Sequence, residues 1–128
     1  MMFRFKRLLY FIPAILYMAF IFWLSSYPAP EEAHLFPIIA RLKLVHLIEY
    51  GLLCLLISDA VIKTTKLSKN EIFALAVMIA ILYGATDEFH QIFVPARTAS
   101  VVDIIADGIG AILAHLLAYR YLLSKSSQ

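Results

Sequence analysis

IFALAVMIAILYGATDEFHQIFVPARTASVVDIIADGIGAILAHLLAYRYLL, residues 72–123, sets two long apolar runs around a charged centre. That centre holds four carboxylates, Asp87, Glu88, Asp103 and Asp107, along with His90, Gln91 and Arg97. Each apolar run, wound as a helix, is long enough to cross a hydrocarbon core of about 30 Å. Lipid offers the backbone no hydrogen-bond partner, so a spanning segment of this kind must be helical. Read this way, the stretch is a pair of transmembrane helices joined by a polar turn.

The rest of the chain agrees. Of the 128 residues, 62% are hydrophobic and only 16% are charged. Soluble domains have about 45–50% apolar and about 25% charged residues. Further apolar runs extend from Leu8 to Leu24 and from Leu44 to Ile62. The expectation is an all-α, polytopic membrane protein: a bundle of four transmembrane helices with short loops, spanning about 8–26, 44–62, 69–92 and 101–123, in one domain covering residues 1–128.

The first run follows the basic segment RFKR, as a secretory signal would. It is 17 residues long, however, and Pro28 and Pro30 disfavour cleavage after it, so a retained span is expected. Pro13 should either kink that helix or begin its regular part. Trp23 and Tyr27 suit an interfacial aromatic belt. Ser68 and Glu71 have the spacing of a capping box and mark the start of the third helix. The outer loop SSYPAPEEAHLFPIIARLK, residues 25–43, is expected to pack as a short re-entrant or interfacial piece.

Charge sets the orientation. Eight of the 11 Lys and Arg residues lie before the first run, between the second and third, or at the end of the fourth. The other three, Arg41, Lys43 and Arg97, lie in the two remaining loops. The positive-inside rule then places both termini in the cytoplasm. Lys43, His46 and Glu49 fall in the outer half of the second helix, and Asp87, Glu88, His90 and Gln91 in the outer half of the third. Ser100, Asp103 and Asp107 fall in the outer half of the fourth, beside Arg97 in the loop.

At about 100° per residue, Lys43, His46 and Glu49 lie within about 120° of one another, and Asp87, Glu88 and Gln91 within about 100°. Asp103, Asp107, Gly110 and Ala114 form a stripe about 60° wide, so the two aspartates should face the bundle interior, where small residues allow close approach. A charge at mid-membrane costs at least about 2.5–3.5 kcal/mol. Glu49, Asp87, Glu88, Asp103 and Asp107 against Lys43 and Arg97 leave an acidic excess, which should hold protons, charge the histidines or bind a cation.

Lys43-x-x-His46-x-x-Glu49-Tyr50, Asp87-Glu88-x-x-Gln91 and Arg97-x-x-Ser100-x-x-Asp103, followed by Asp107 and Gly110, resemble the pattern of the VanZ-like family of small bacterial membrane proteins. FWLSSYP at the end of the first span adds a weaker match. The sequence departs from the pattern at Asp107, where Asn is often expected. That family is linked to tolerance of teicoplanin, a lipid-bearing glycopeptide that acts at the outer face of the cytoplasmic membrane. The resemblance implies a cell-envelope role in the bacterial cytoplasmic membrane and does not supply a reaction.

Together these residues suggest a pocket for a membrane lipid or lipid-linked envelope molecule. Arg97 and Lys43 suit a phosphate or carboxylate head group. His46, Glu49, Asp87, Glu88 and Asp103 are the candidates for acid–base catalysis. Tyr50, Gln91, Ser100 and Asp107 join Lys43 and Arg97 as candidate ligand-binding residues. The alternatives are a structural network that fixes helix register and a cation or metal site of His and carboxylate ligands, with a divalent cation as the compatible cofactor.

Transport of a proton or small ion is disfavoured, because the inner halves hold few polar residues, chiefly Ser58 and His115. Ser25 and Ser26 are assigned to capping or backbone bonding, and Cys54 to core packing. Phosphate-loop and Rossmann patterns are absent, and nothing points to nucleic acid.

Overall fold

The structure, a computed structural model, describes residues 7–28 and 44–126, the last eight of them as backbone only. Lys43, and most of the outer loop expected to be re-entrant, lie outside the described residues.

A 3-10 turn, Leu9–Phe11, leads into α1, Ile12–Ser25. Pro13 occupies the first turn of α1 and begins the regular helix. Its missing N–H costs nothing there, because first-turn donors have no intrahelical partner. Next come α2 (Leu44–Thr64), α3 (Lys69–Gln91) and α4 (Val101–Ser126). At the start of α3 the capping box is complete. The Glu71 N–H donates to Ser68 Oγ at 3.4 Å, and the Ser68 N–H donates to Glu71 Oε2 at 2.8 Å. Two end-of-helix donors are thereby satisfied.

No strand occurs among the described residues. α2, α3 and α4 are each long and apolar enough to cross a membrane, and the segment Leu9–Ser25 is a shorter apolar helix. Large apolar side chains such as Ile48, Leu82, Phe89 and Leu117 point outward along these helices. In water they would form an aggregation-prone surface; in a bilayer they are the lipid face. The protein is thus the helical membrane bundle that its sequence leads one to expect.

α2 packs most extensively on α4. Small residues make this possible. A Cβ on Gly51 would lie 3.1 Å from both the Ala114 Cβ and the Gly110 carbonyl oxygen. A Cβ on Gly110 would overlap the backbone of Leu47. Lipid tails are as apolar as the side chains, so burial drives helix association little; close backbone approach and dispersion replace it. α3 completes the core with Ala76 and Ala80 against Leu53, Cys54 and Ile57 of α2. α1 joins through Ala14 and Ile21, and through the Tyr83 hydroxyl of α3, which donates to the Met18 carbonyl at 2.5 Å.

After α3 the chain turns through residues 92–100. The Phe93 and Val94 N–H groups bond the carbonyls of His90 and Gln91, closing the end of the helix. Ala96 then takes φ of 60°, a left-handed conformation unusual for a residue with a side chain. Arg97 follows it.

Candidate functional site

The polar residues gather at one end of the bundle, where α1 ends, α2 begins, α3 ends and α4 begins. Asp87, Glu88, Gln91, Asp103 and Asp107 are all buried there, with Asp107 wholly inaccessible. Burial at this end demands partners, and the partners come from different helices.

Asp87 and Glu88 are neighbours in sequence but serve opposite sides of α3. Asp87 Oδ1 accepts from the Ser25 hydroxyl of α1 at 2.5 Å, and its Oδ2 accepts from Gln91 Nε2 at 3.0 Å. Glu88 Oε2 accepts from the Ser100 backbone N–H at 2.7 Å, and its Oε1 receives a longer contact from Gln91 at 3.4 Å. Ser100 immediately precedes α4, and its carbonyl accepts the N–H groups of Asp103 and Ile104. Glu88 therefore lies at the positive end of the α4 dipole, where a carboxylate is favoured. Gln91 bridges both acids one turn along α3.

On the facing side, His46 Nδ1 of α2 lies 2.9 Å from Asp107 Oδ1 of α4. His46 Nε2 lies 3.9 Å from Asp103 Oδ2. An ionised carboxylate can only accept, so Nδ1 donates to Asp107, and Nε2 is directed toward Asp103. Asp107 Oδ2 has no hydrogen-bond partner among the described residues and lies where a side chain on Gly84 of α3 would stand. The Tyr50 ring runs nearly parallel to that of His46, 6.3 Å away, and its buried hydroxyl also lacks a hydrogen-bond partner among the described residues.

The other expected residues are distributed as follows. Glu49 is half-buried and makes no hydrogen bond or ion pair among the described residues. Ser100 contributes its backbone N–H rather than its hydroxyl. Arg97 donates through Nε to the Tyr27 carbonyl at 3.1 Å and forms no ion pair among the described residues. Backbone bonding, the role expected of Ser25 and Ser26, is present in both: each hydroxyl donates to the Phe22 carbonyl. Ser25 also enters the acid network through Asp87, a role beyond the backbone bonding expected of it. His90 turns to α1, with its ring 4.2 Å from that of Phe22 and Nε2 3.1 Å from the Ser26 hydroxyl.

The opposite end of the bundle is sparse. Ser58 donates to the Cys54 carbonyl at 2.8 Å and lies 3.2 Å from His115 Nδ1. Cys54 is buried in the apolar core, as expected.

Comparison with curated proteins finds no match, and neither does comparison with solved structures. A family profile described as VanZ/LLP1 matches residues 8–124. That match takes in all four helices and every residue of the polar end, and the chain belongs to the VanZ/LLP1 family.

Proposed function

We propose that this protein binds or processes an envelope lipid or lipid-linked molecule at the outer leaflet of the bacterial cytoplasmic membrane. Both termini are cytoplasmic in this reading, from the distribution of Lys and Arg. The polar end of the bundle then faces the extracytoplasmic side.

The observation that carries the reading is Arg97. Its Nε is tied to a backbone carbonyl, its terminal nitrogens have no carboxylate partner among the described residues, and the turn that presents it includes a left-handed alanine. A guanidinium held this way suits bidentate capture of a phosphate or carboxylate head group. The apolar outer faces of the helices supply a path for lipid tails. A place in glycopeptide tolerance fits the same leaflet, because teicoplanin carries a lipid tail and acts there.

Native mass spectrometry of the protein in nanodiscs or gentle detergent tests the reading. Wild type should retain an anionic lipid or lipid-linked phosphate that Arg97→Ala loses while melting at an unchanged temperature. Equal lipid retention by wild type and Arg97→Ala would overturn the role given to Arg97.

A second reading, a purely structural network, is favoured by the extent to which Asp87, Glu88 and Gln91 satisfy one another. It predicts that Asp87→Asn lowers thermal stability and leaves lipid content unchanged.

A further inference from the structure

We propose that His46, Glu88 and Asp103 form a binding site for one divalent transition-metal ion of the Mn²⁺ or Zn²⁺ class, with Asp107 as the residue that orients His46. One ligand atom from each of the three lies within 4.8 Å of the other two. They come from α2, α3 and α4, so the site is made only when the bundle closes.

Three features of the geometry support an ion there. First, the one pair separation seen directly fits, and the other two lie within 4.8 Å. Two ligands held at about 2.0–2.2 Å from one ion lie at most about 4.4 Å apart, and His46 Nε2 and Asp103 Oδ2 are 3.9 Å apart. Second, His46 is aimed. Its Nδ1 bond to Asp107 Oδ1 at 2.9 Å leaves Nε2 as the nitrogen directed at the cluster, where an ion would displace any proton it carries. A carboxylate behind a ligating imidazole is the usual way a protein fixes the tautomer and orientation of such a ligand. The bond brings in a fourth residue from outside the three-residue cluster, and that residue is wholly buried.

Third, capacity and donor type fit. The hydrogen bonds to Glu88 leave each of its oxygens a further lone pair. The donor set of one nitrogen with carboxylate oxygens selects Mn²⁺ or Zn²⁺ over the all-oxygen shells of Mg²⁺ and Ca²⁺. Of the residues that the sequence offers as cation ligands, Glu49 and Asp87 fall outside this cluster, and Asp107 stands behind it.

The inference concerns the ion alone and does not depend on the lipid proposed above. The test uses full-length protein purified in detergent, washed free of lipid and stripped of metal, then titrated with Mn²⁺ and with Zn²⁺. Wild type should bind one ion per chain, and His46→Ala and Asp103→Asn should lose at least tenfold in affinity. Asp107→Ala should weaken binding by about 10–100-fold, as loss of a partner behind a ligand does. Asp107→Asn, whose amide oxygen can still accept from Nδ1, should recover most of that loss.

Pulsed electron paramagnetic resonance of Mn²⁺-loaded wild type needs no variant to fold, and should show coupling to one imidazole nitrogen. Folded wild type that binds neither ion overturns the proposal. So does an ion bound without nitrogen coupling, or one bound equally tightly by His46→Ala.

Discussion

Asp107 Oδ2 lies in the space that a side chain on Gly84 would fill. A glycine on α3 thus leaves room for a carboxylate on α4, and that carboxylate holds His46 of α2. Gly84→Ala would push Asp107 off His46. The variant should lose about 1–3 kcal/mol of stability, as over-packed cores do. Denaturation in mixed micelles measures this, and a variant as stable as wild type would remove Gly84 from the account.

Gly110 should be less forgiving than Gly84. An added methyl there meets the backbone of Leu47, which cannot rotate away, whereas the Asp107 carboxylate can. Gly110→Ala is expected to cost about 3 kcal/mol or more, and Gly51→Ala, with contacts at 3.1 Å, about 1 kcal/mol. The order Gly110, Gly84, Gly51 in melting temperature is the check. The reverse order would mean that α2 and α4 do not meet as described.

Ser25→Ala removes the donor that α1 gives to Asp87. Asp87 keeps its bond from Gln91, so the expected loss is about 1–2 kcal/mol rather than collapse. Ser25→Thr retains the hydroxyl and should recover most of it. Hydrogen exchange at the end of α1, faster in the alanine variant only, would show that the loss is local.

Ser58→Ala serves as a control at the far end of the bundle. Its bonds to the Cys54 carbonyl and His115 are ordinary interhelical and back-bonding contacts, worth about 0.6 kcal/mol. Lipid retention and metal binding should not change. A change in either would mean that the two ends of the bundle communicate.

Ala96→Gly should stabilise the turn before Arg97. At φ of 60° a side chain costs about 1–2 kcal/mol, and glycine relieves it while adding disorder to the unfolded chain. A net gain of up to about 1 kcal/mol is expected in thermal unfolding. A loss would show that the left-handed turn is not populated.

The acids of the polar end could be read from the sequence because charge is costly in lipid, and because helical spacing placed Asp103 and Asp107 on one face with Gly110 and Ala114. The capping box at Ser68 was legible too, being local. Ser25 was not: its approach to Asp87 depends on how α1 crosses α3, which no spacing within α1 encodes. The separate duties of Asp87 and Glu88 were equally hidden. Adjacent helical residues point about 100° apart, and only packed neighbours decide which one meets α1 and which meets the start of α4. For His90, spacing left two directions open, and contact with Phe22 and Ser26 selects one.

The bond from Ser100 N–H to Glu88 bears on the order in which the protein is made. When α3 enters the membrane, Glu88 has only its 3.4 Å contact from Gln91, because its backbone donor lies nine residues beyond Gln91 and has yet to emerge. Asp87, by contrast, can already reach Ser25. A nascent chain arrested after α3 therefore carries one carboxylate that lacks its shorter hydrogen bond, and arrival of α4 supplies it. Each newly inserted α3 thus holds an acid at membrane depth at a cost that falls only when the bundle closes.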